Sequence, residues 1–290
     1  MDGIGNHSKS SNVSIDDSLD LFSKPASIDM FHSSKIVTYK PLHAINETGP
    51  YKFIISSASP REFIQLHSLR VSLQFHIVEN DGTPLGVNLT DELKDKVSIV
   101  NCPGHSLFEN VNVRLCDTPI SQGNRLYGWK AFMQETLSYS SATQKANMQA
   151  EMFSIDDPQE NCNVSASCKG FLARAKHIEL SKKVYLNFIP NIDMLSTPKL
   201  LAPGIPLTIE FERAPPELYI LTDENKRFKA IIDDMSITIR KLELHESLHN
   251  HIARKMLTTS IHYPITLNWT RKHDVHAGIN EAFIPQVSTI

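Results

Sequence analysis

At 290 residues, 41% of them hydrophobic, the chain has enough apolar material for a sizeable core and reads as globular over most of its length. Its 29 basic and 32 acidic side chains leave a formal net charge of −3, so no broad basic field exists to neutralise a phosphate backbone, and direct nucleic-acid binding is not expected. No stretch approaches the roughly 18 apolar residues of a membrane helix, so no membrane partner is expected, and the polar start MDGIGNHSKS lacks a signal-peptide core.

Residues 1–34 read as a flexible N-terminal arm, rich in Ser, Asn and Asp, with a small apolar anchor at Leu19, Leu21 and Phe22 before Pro25. Strand signals follow over Ile36 to Tyr39 and Tyr51 to Ser56, on either side of a turn at Gly49-Pro50. From Leu69 to Ile77 apolar and polar residues alternate strictly. Such a stripe buries one face only as a β-strand, and it ends at Asn80-Asp81-Gly82, a turn sequence. A polar loop from Gly86 to Lys96 precedes strand character at Val97 to Val100, and alternation returns at Val111, Val113 and Leu115.

Between 126 and 153 the period changes. Leu126, Trp129, Ala131, Phe132, Met133 and Leu137 recur at three and four, which predicts a helix over Leu126 to Tyr139 whose aromatic residues Trp129, Phe132 and Tyr139 pack in the core. Thr143 to Met152, rich in good helix formers, predicts a second helix. Strands resume at Val184 to Ile189, Leu207 to Phe211 and Met235 to Leu244, separated by breaks at Pro190, Pro198, Pro203, Pro206 and Pro215-Pro216. Residues 247–258 read as a helical linker, and Tyr263 to Trp269 as the start of another strand.

About eight strands with long connections predict a mainly β fold, a two-sheet jelly-roll sandwich with helical insertions; an α+β domain is the alternative. The expected division is an arm (1–34), a jelly roll (35–246) with its helical insertion near 126–153, a helical linker (247–258), and the start of a further domain (259–290), which the resemblance given below implies to be a truncated second jelly roll. The four cysteines, Cys102, Cys116, Cys162 and Cys168, lack CxxC spacing and are expected as free thiols, although Cys162 and Cys168 lie close enough in sequence to pair if oxidised.

The one literal match to a catalytic motif is His245-Glu246-Ser247-Leu248-His249, the HExxH pattern in which two histidines on one helical face bind zinc and the glutamate activates water. Here it straddles a strand and a short helix, and no glycine stands at the place that the extended motif requires. His251 and His262 lie nearby in sequence. A zinc hydrolase using His245, Glu246 and His249 is therefore a rival reading, and a lectin-like binding jelly roll is another. Asp156-Asp157, Asp233-Asp234 and Glu210 with Glu212 are paired acids; Glu210 and Glu212 read as the solvated side of their strand, and Asp16-Asp17 belongs to the arm. No nucleophile elbow, P-loop or dinucleotide fingerprint occurs. No catalytic residue, cofactor or metal ligand is assigned, and the chain is not read as an enzyme.

Several segments together resemble one family. SLDLFSKPASIDMF, TGPYKFIISSASPREFIQLHSLRVSLQF, HSLFENVNVRL, YGWKAFMQETLSYSSATQKANMQAEMFSIDD, MSITIRKLEL and YPITLNWTRKHDVHAGINEAFIPQ are similar, in order and spacing, to the double jelly-roll major capsid proteins of Polinton/Maverick elements and adintoviruses. The resemblance implies two jelly rolls side by side, perpendicular to the shell, and a homotrimeric, pseudo-hexagonal capsomer. It further implies neighbouring capsomers and a penton protein as partners, and location in the virion if the element is active or inside the cell otherwise. Most of the second jelly roll would be missing from a chain that ends at Ile290.

Overall fold

The structure, a computed structural model, describes residues 30–86, 97–121, 123–140, 143, 148–156, 168–222, 227–265 and 270–273. In chain order its strands are β1 (Phe31–Tyr39), β2 (Tyr51–Ile55), β3 (Glu62–Glu79), β4 (Val97–Ile99), β5 (Phe108–Leu115), β6 (Thr118–Pro119), β7 (Val184–Phe188), β8 (Leu200–Leu201), β9 (Leu207–Arg213), β10 (Ile220–Thr222) and β11 (Phe228–Leu244). The α-helices are α1 (Pro103–Ser106), α2 (Tyr127–Ser138), α3 (Lys169–Ile178) and α4 (Glu246–Met256).

One sheet has the order β1-β11-β3-β7, with β8 also against β3, and the other the order β2-β9-β5-β6; all of these pairings are antiparallel. If the separate ribbon of β4 with β10 and the side strand β8 are set aside, the first strand pairs with the last, the second with the last but one, the third with the sixth and the fourth with the fifth. This is the nesting produced when one long hairpin is wrapped over itself into two sheets. The chain is a jelly roll.

Inward residues of both sheets form a single core, among them Val71, Leu73, Phe75 and Ile77 of β3, Met235, Ile237 and Ile239 of β11, and Phe53, Ile209 and Phe211 opposite them. Phe211 sits at its centre, with ring centroids 6.0 Å from Phe53 and 5.0 Å from Phe108. Side chains of alternating sequence fill this space because a strand sends successive residues to opposite faces.

The spine is the pair β3 and β11, of 18 and 17 residues. Its register shifts twice, between Ile232 and Asp234 and between Thr238 and Arg240. At each shift the buried positions change parity: Phe228, Ala230 and Ile232 are buried, then Met235, Ile237 and Ile239, then Leu242 and Leu244. A bulge of this kind bends a strand and re-aims its side chains. At the first one, the consecutive Asp233 and Asp234 both leave the core, Asp233 to His76 (2.8 Å) and Lys183 (3.3 Å), Asp234 to Lys40 (2.6 Å).

Several expectations are corrected. The first strand begins at Phe31, earlier than Ile36. Of the second expected helix, Thr143 is helical, Met148–Glu151 forms a 3-10 turn, and residues 144–147 lie outside the described residues. Helix α3 was not anticipated. Residues 263–265 have no regular structure, and the rest of the strand expected from Tyr263 lies outside the described residues. Cys168 is disulfide-bonded rather than free, whereas Cys102 and Cys116 are free.

Near the chain entry, three strands are clamped by charge. Lys241 of β11, 4% exposed, donates to Glu62 of β3 (2.7 Å) and to the Ser56 carbonyl (2.6 Å), while Lys35 of β1 reaches the second Glu62 oxygen. Burial by itself would raise the Glu62 pKa. The hydrogen bonds from Lys241, Lys35 and the Ala58 N–H outweigh it and hold the group at about 2, against an ordinary 4.5. With its folded pKa depressed, Glu62 contributes stability that is fully present above about pH 4.5 and is lost as the pH falls toward 2. Glu62→Gln should therefore cost about 2–4 kcal/mol at pH 7 by leaving Lys241 buried without its counter-charge. In urea melts across pH 7 to 2, the gap between wild type and variant should close through that window; a pH-independent gap would contradict the clamp.

Candidate functional site

Between β6 and β7 the chain inserts α2 and α3, and beside them β4 pairs with β10 as a separate two-stranded ribbon. Arg174 of α3, 1% exposed, ties these pieces together. Its Nε donates to the Ile99 carbonyl (2.7 Å) and its Nη1 to Asn101 Oδ1 (2.9 Å) and the Ser154 carbonyl (3.2 Å), and it pairs with the Asp156 carboxylate (2.9 Å). A fully buried guanidinium is tolerable only with such a set of acceptors. Gly170, at the start of α3, makes room for the pair, since a methyl group there would overlap Asp156. Asp156, of the acidic pair Asp156-Asp157, is half-buried in this ion pair; Asp157 and Asp16-Asp17 lie outside the described residues.

Above Arg174 and Asp156 opens a cavity of about 340 Å³, walled by Trp129, Phe132, Leu218 and Leu221. Helix α2 forms its outer lip. The helix buries only Tyr127, Gly128 and Ala131. Gly128 lies so close to the sheet that a Cβ would stand 3.3 Å from the Phe108 carbonyl. The Tyr127 hydroxyl accepts from the Asn191 N–H (3.1 Å) and lies 3.0 Å from Nδ1 of the buried His105, and Lys130 pairs with Asp193 (3.1 Å).

The other side of α2 corrects the sequence reading. Trp129 is 54% exposed, Met133 44% and Leu137 84%; Tyr139 is also exposed and Phe132 is half-buried. Trp129, Met133 and Leu137 recur every four residues and so form one stripe along the helix. The stripe faces outward because the core-facing strip of α2 is narrow and already filled by a tyrosine, a glycine and an alanine.

The outer sheet faces carry cross-strand polar ladders. Ser72 donates to Asn187 (2.6 Å) and Gln74 to the Tyr185 hydroxyl (2.9 Å) between β3 and β7. On the other sheet Asn112 donates to Glu212 of β9 (2.6 Å), with Asn110 at 3.4 Å; Glu210 is half-buried on the same face. These contacts tie neighbouring strands together on the solvated side expected of Glu210 and Glu212, while Asn110 Oδ1 is buried without a partner among the described residues.

His245, first residue of the HExxH match, precedes α4 as its N-cap with extended backbone (φ −59°, ψ 145°), and its ring packs edge-on against His32 with centroids 5.6 Å apart. Glu246 and His249 are helical, His251 is exposed on α4, and His262 lies beyond it in an irregular segment. Among the described residues, no three His, Cys, Asp or Glu side chains are placed to share an ion. No described helix is long and apolar enough to cross a membrane.

No protein-family model matches the chain, and no curated protein matches it in sequence. Solved structures do match in fold. The Sputnik virophage structure is 9% identical with a TM-score of 0.50, over 80% of this chain and 52% of that one. The mavirus major capsid protein is 13% identical with a TM-score of 0.38, over 84% and 52%. The Faustovirus major capsid protein is 10% identical with a TM-score of 0.41, over 77% and 56%. The chain thus spans about half the length of the solved structures it matches.

Replacing Arg174 by Met should cost about 3–5 kcal/mol, because Asp156 and the carbonyls of Ile99 and Ser154 lose their buried donor. Chemical denaturation checks this; a loss under about 1 kcal/mol would mean that water replaces the guanidinium freely.

Proposed function

We propose that the chain is a structural, viral-type capsid protein that works by self-association rather than by turnover. The nested strand order carries this reading, supported by the fold likeness to the Sputnik virophage structure. A jelly roll is a compact wedge with short strand edges and loops gathered at its ends, which suits repeated packing about a symmetry axis. Since the chain spans about half of that structure, we read 35–246 as the first of two jelly rolls, 247–258 as the linker and 259–290 as the opening of the second.

In finer detail, we infer homotrimeric, pseudo-hexagonal capsomers that contact one another and a penton protein, encoded by an integrated virus-like element of the Polinton/Maverick kind. The place of action is the virion if the element is active and the cell interior otherwise. The reading calls for no cofactor, metal, catalytic residue, membrane or direct nucleic-acid contact. To contacts between copies we assign the outward stripe of α2, whose Trp129, Met133 and Leu137 are uncharged and exposed. Contiguous exposed apolar surface of this kind marks association sites in other proteins.

Size-exclusion chromatography with light scattering of the corresponding full-length chain should give three times the mass of one chain, and a monodisperse monomer at high concentration would overturn the reading. The double variant Trp129→Ala/Leu137→Ala should unfold within about 0.5 kcal/mol of wild type, as exposed positions do, yet dissociate at concentrations about tenfold higher or more. Equal stability with unchanged association would remove α2 from the interface.

A further inference from the structure

Helix α4 leaves a groove open along its inner side. Leu248, Ile252 and Met256, spaced by four, lie against Phe63, Ala202 and Leu244 and remain half-buried. Beside them a cavity of about 250 Å³ is closed on its far side by Ile261 and Tyr263, whose hydroxyl accepts from the Ala202 N–H (3.0 Å) and donates to the Leu200 carbonyl (3.2 Å). Lys255 is the one charged group of the lining. Arg254 and His251 extend the basic rim, and all three are exposed. Neither Arg254 nor Lys255 has an ion-pair partner among the described residues.

The chain itself delivers a segment of complementary chemistry to this place. Phe31 pairs with Leu244, and the Met30 carbonyl accepts from the His245 N–H (3.4 Å), so the 29 residues before Met30 depart from the first turn of α4. Among them stand Leu19, Leu21 and Phe22, interleaved with and preceded by Asp16, Asp17 and Asp20. From Met30 back to Phe22 the backbone reaches up to roughly 26 Å. The groove runs along a helix of 11 residues, about 16 Å long. Apolar side chains would meet an apolar groove, and aspartates a basic rim. Tethering through eight residues also supplies an effective concentration in the millimolar range, so a shallow site suffices.

We propose that the groove between α4 and β8 is the docking site for residues 16–22 of the same chain, with Leu19 and Phe22 filling the cavity and Asp16, Asp17 and Asp20 facing Arg254 and Lys255. The proposal is independent of the capsid reading, because a strictly monomeric chain would retain the contact.

Photo-crosslinking of the full chain tests it, with p-benzoylphenylalanine in place of Phe22 and peptide mapping of the product. Crosslinks should fall within one chain, on residues 252–263. Arg254→Glu/Lys255→Glu should lower their yield about fivefold, and adding Asp16→Lys/Asp17→Lys should restore it. Crosslinks elsewhere would overturn the proposal, as would crosslinks only between chains, which would give the groove to a second copy. As a measurement free of the photoprobe, Leu19→Ser/Phe22→Ser should speed amide hydrogen exchange over 252–257, and unchanged exchange there would equally overturn it.

Discussion

The pairing of β3 with β11 is the constraint to which every other part of the molecule is fastened. These two strands are the longest, each is hydrogen-bonded on both sides, and β1 and β7 attach to their outer edges. A slip of one residue between them would turn the inward set of side chains to water, so burial of Leu69 to Ile77 against Met235 to Ile239 fixes the register. Both ends of the ribbon are then determined. At the Glu62 and Leu244 end sit the charge clamp, α4 and the departing N-terminal segment; at the Glu79 and Phe228 end sit β10, β4 and the helices packed around Arg174.

What could be read from the amino-acid order follows the same physics. Strict alternation made Leu69 to Ile77 and Leu207 to Phe211 plain: the second run lies in unshifted ladders, and in the first the extra residue of the bulge opposite Phe75 and Gln74 belongs to β11. The beginnings of β3 and β11 escaped because alternation changes phase at the bulges: Ile64 and Leu66 are buried at even positions, Leu69 and Val71 at odd ones. Helix α3 escaped for another reason. Its hydropathy is broken by Arg174, whose acceptors Ile99 and Asn101 stand 75 and 73 positions away, so nothing local announces that a charge belongs inside. For α2 the spacing revealed a stripe, but spacing cannot say whether a neighbour covers it. For the HESLH letters the neighbouring pattern did serve: they straddle a strand and a short helix, and the first histidine stands before the helix on which the motif depends.

The polar and apolar surfaces are divided by how completely they satisfy themselves. Sheet faces spend their side chains on one another, through Ser72 with Asn187, Gln74 with Tyr185 and Asn112 with Glu212. The outward stripe of α2 and the groove beside α4 have no such internal partners among the described residues. Surface that cannot satisfy itself is where association lowers free energy most. It is on these helices, inserted between or appended after the strands, that contacts are assigned, while the sandwich supplies a rigid mount.

The adjacent aspartates of β11 carry one last implication, for the heredity of the fold. Because Asp233 and Asp234 are two residues where a regular strand would use one, losing a single codon there would erase the bulge and leave Ile232, one aspartate and Met235 opposite Phe75, Gln74 and Leu73, with every inward side chain still inward. Exchange of either aspartate for another polar side chain would remove at most the contacts of Asp233 with His76 and Lys183, or that of Asp234 with Lys40. Lineages of this protein should therefore tolerate changes of spelling or of length at the pair far better than a codon lost within 235–239, which would turn half of the strand inside out.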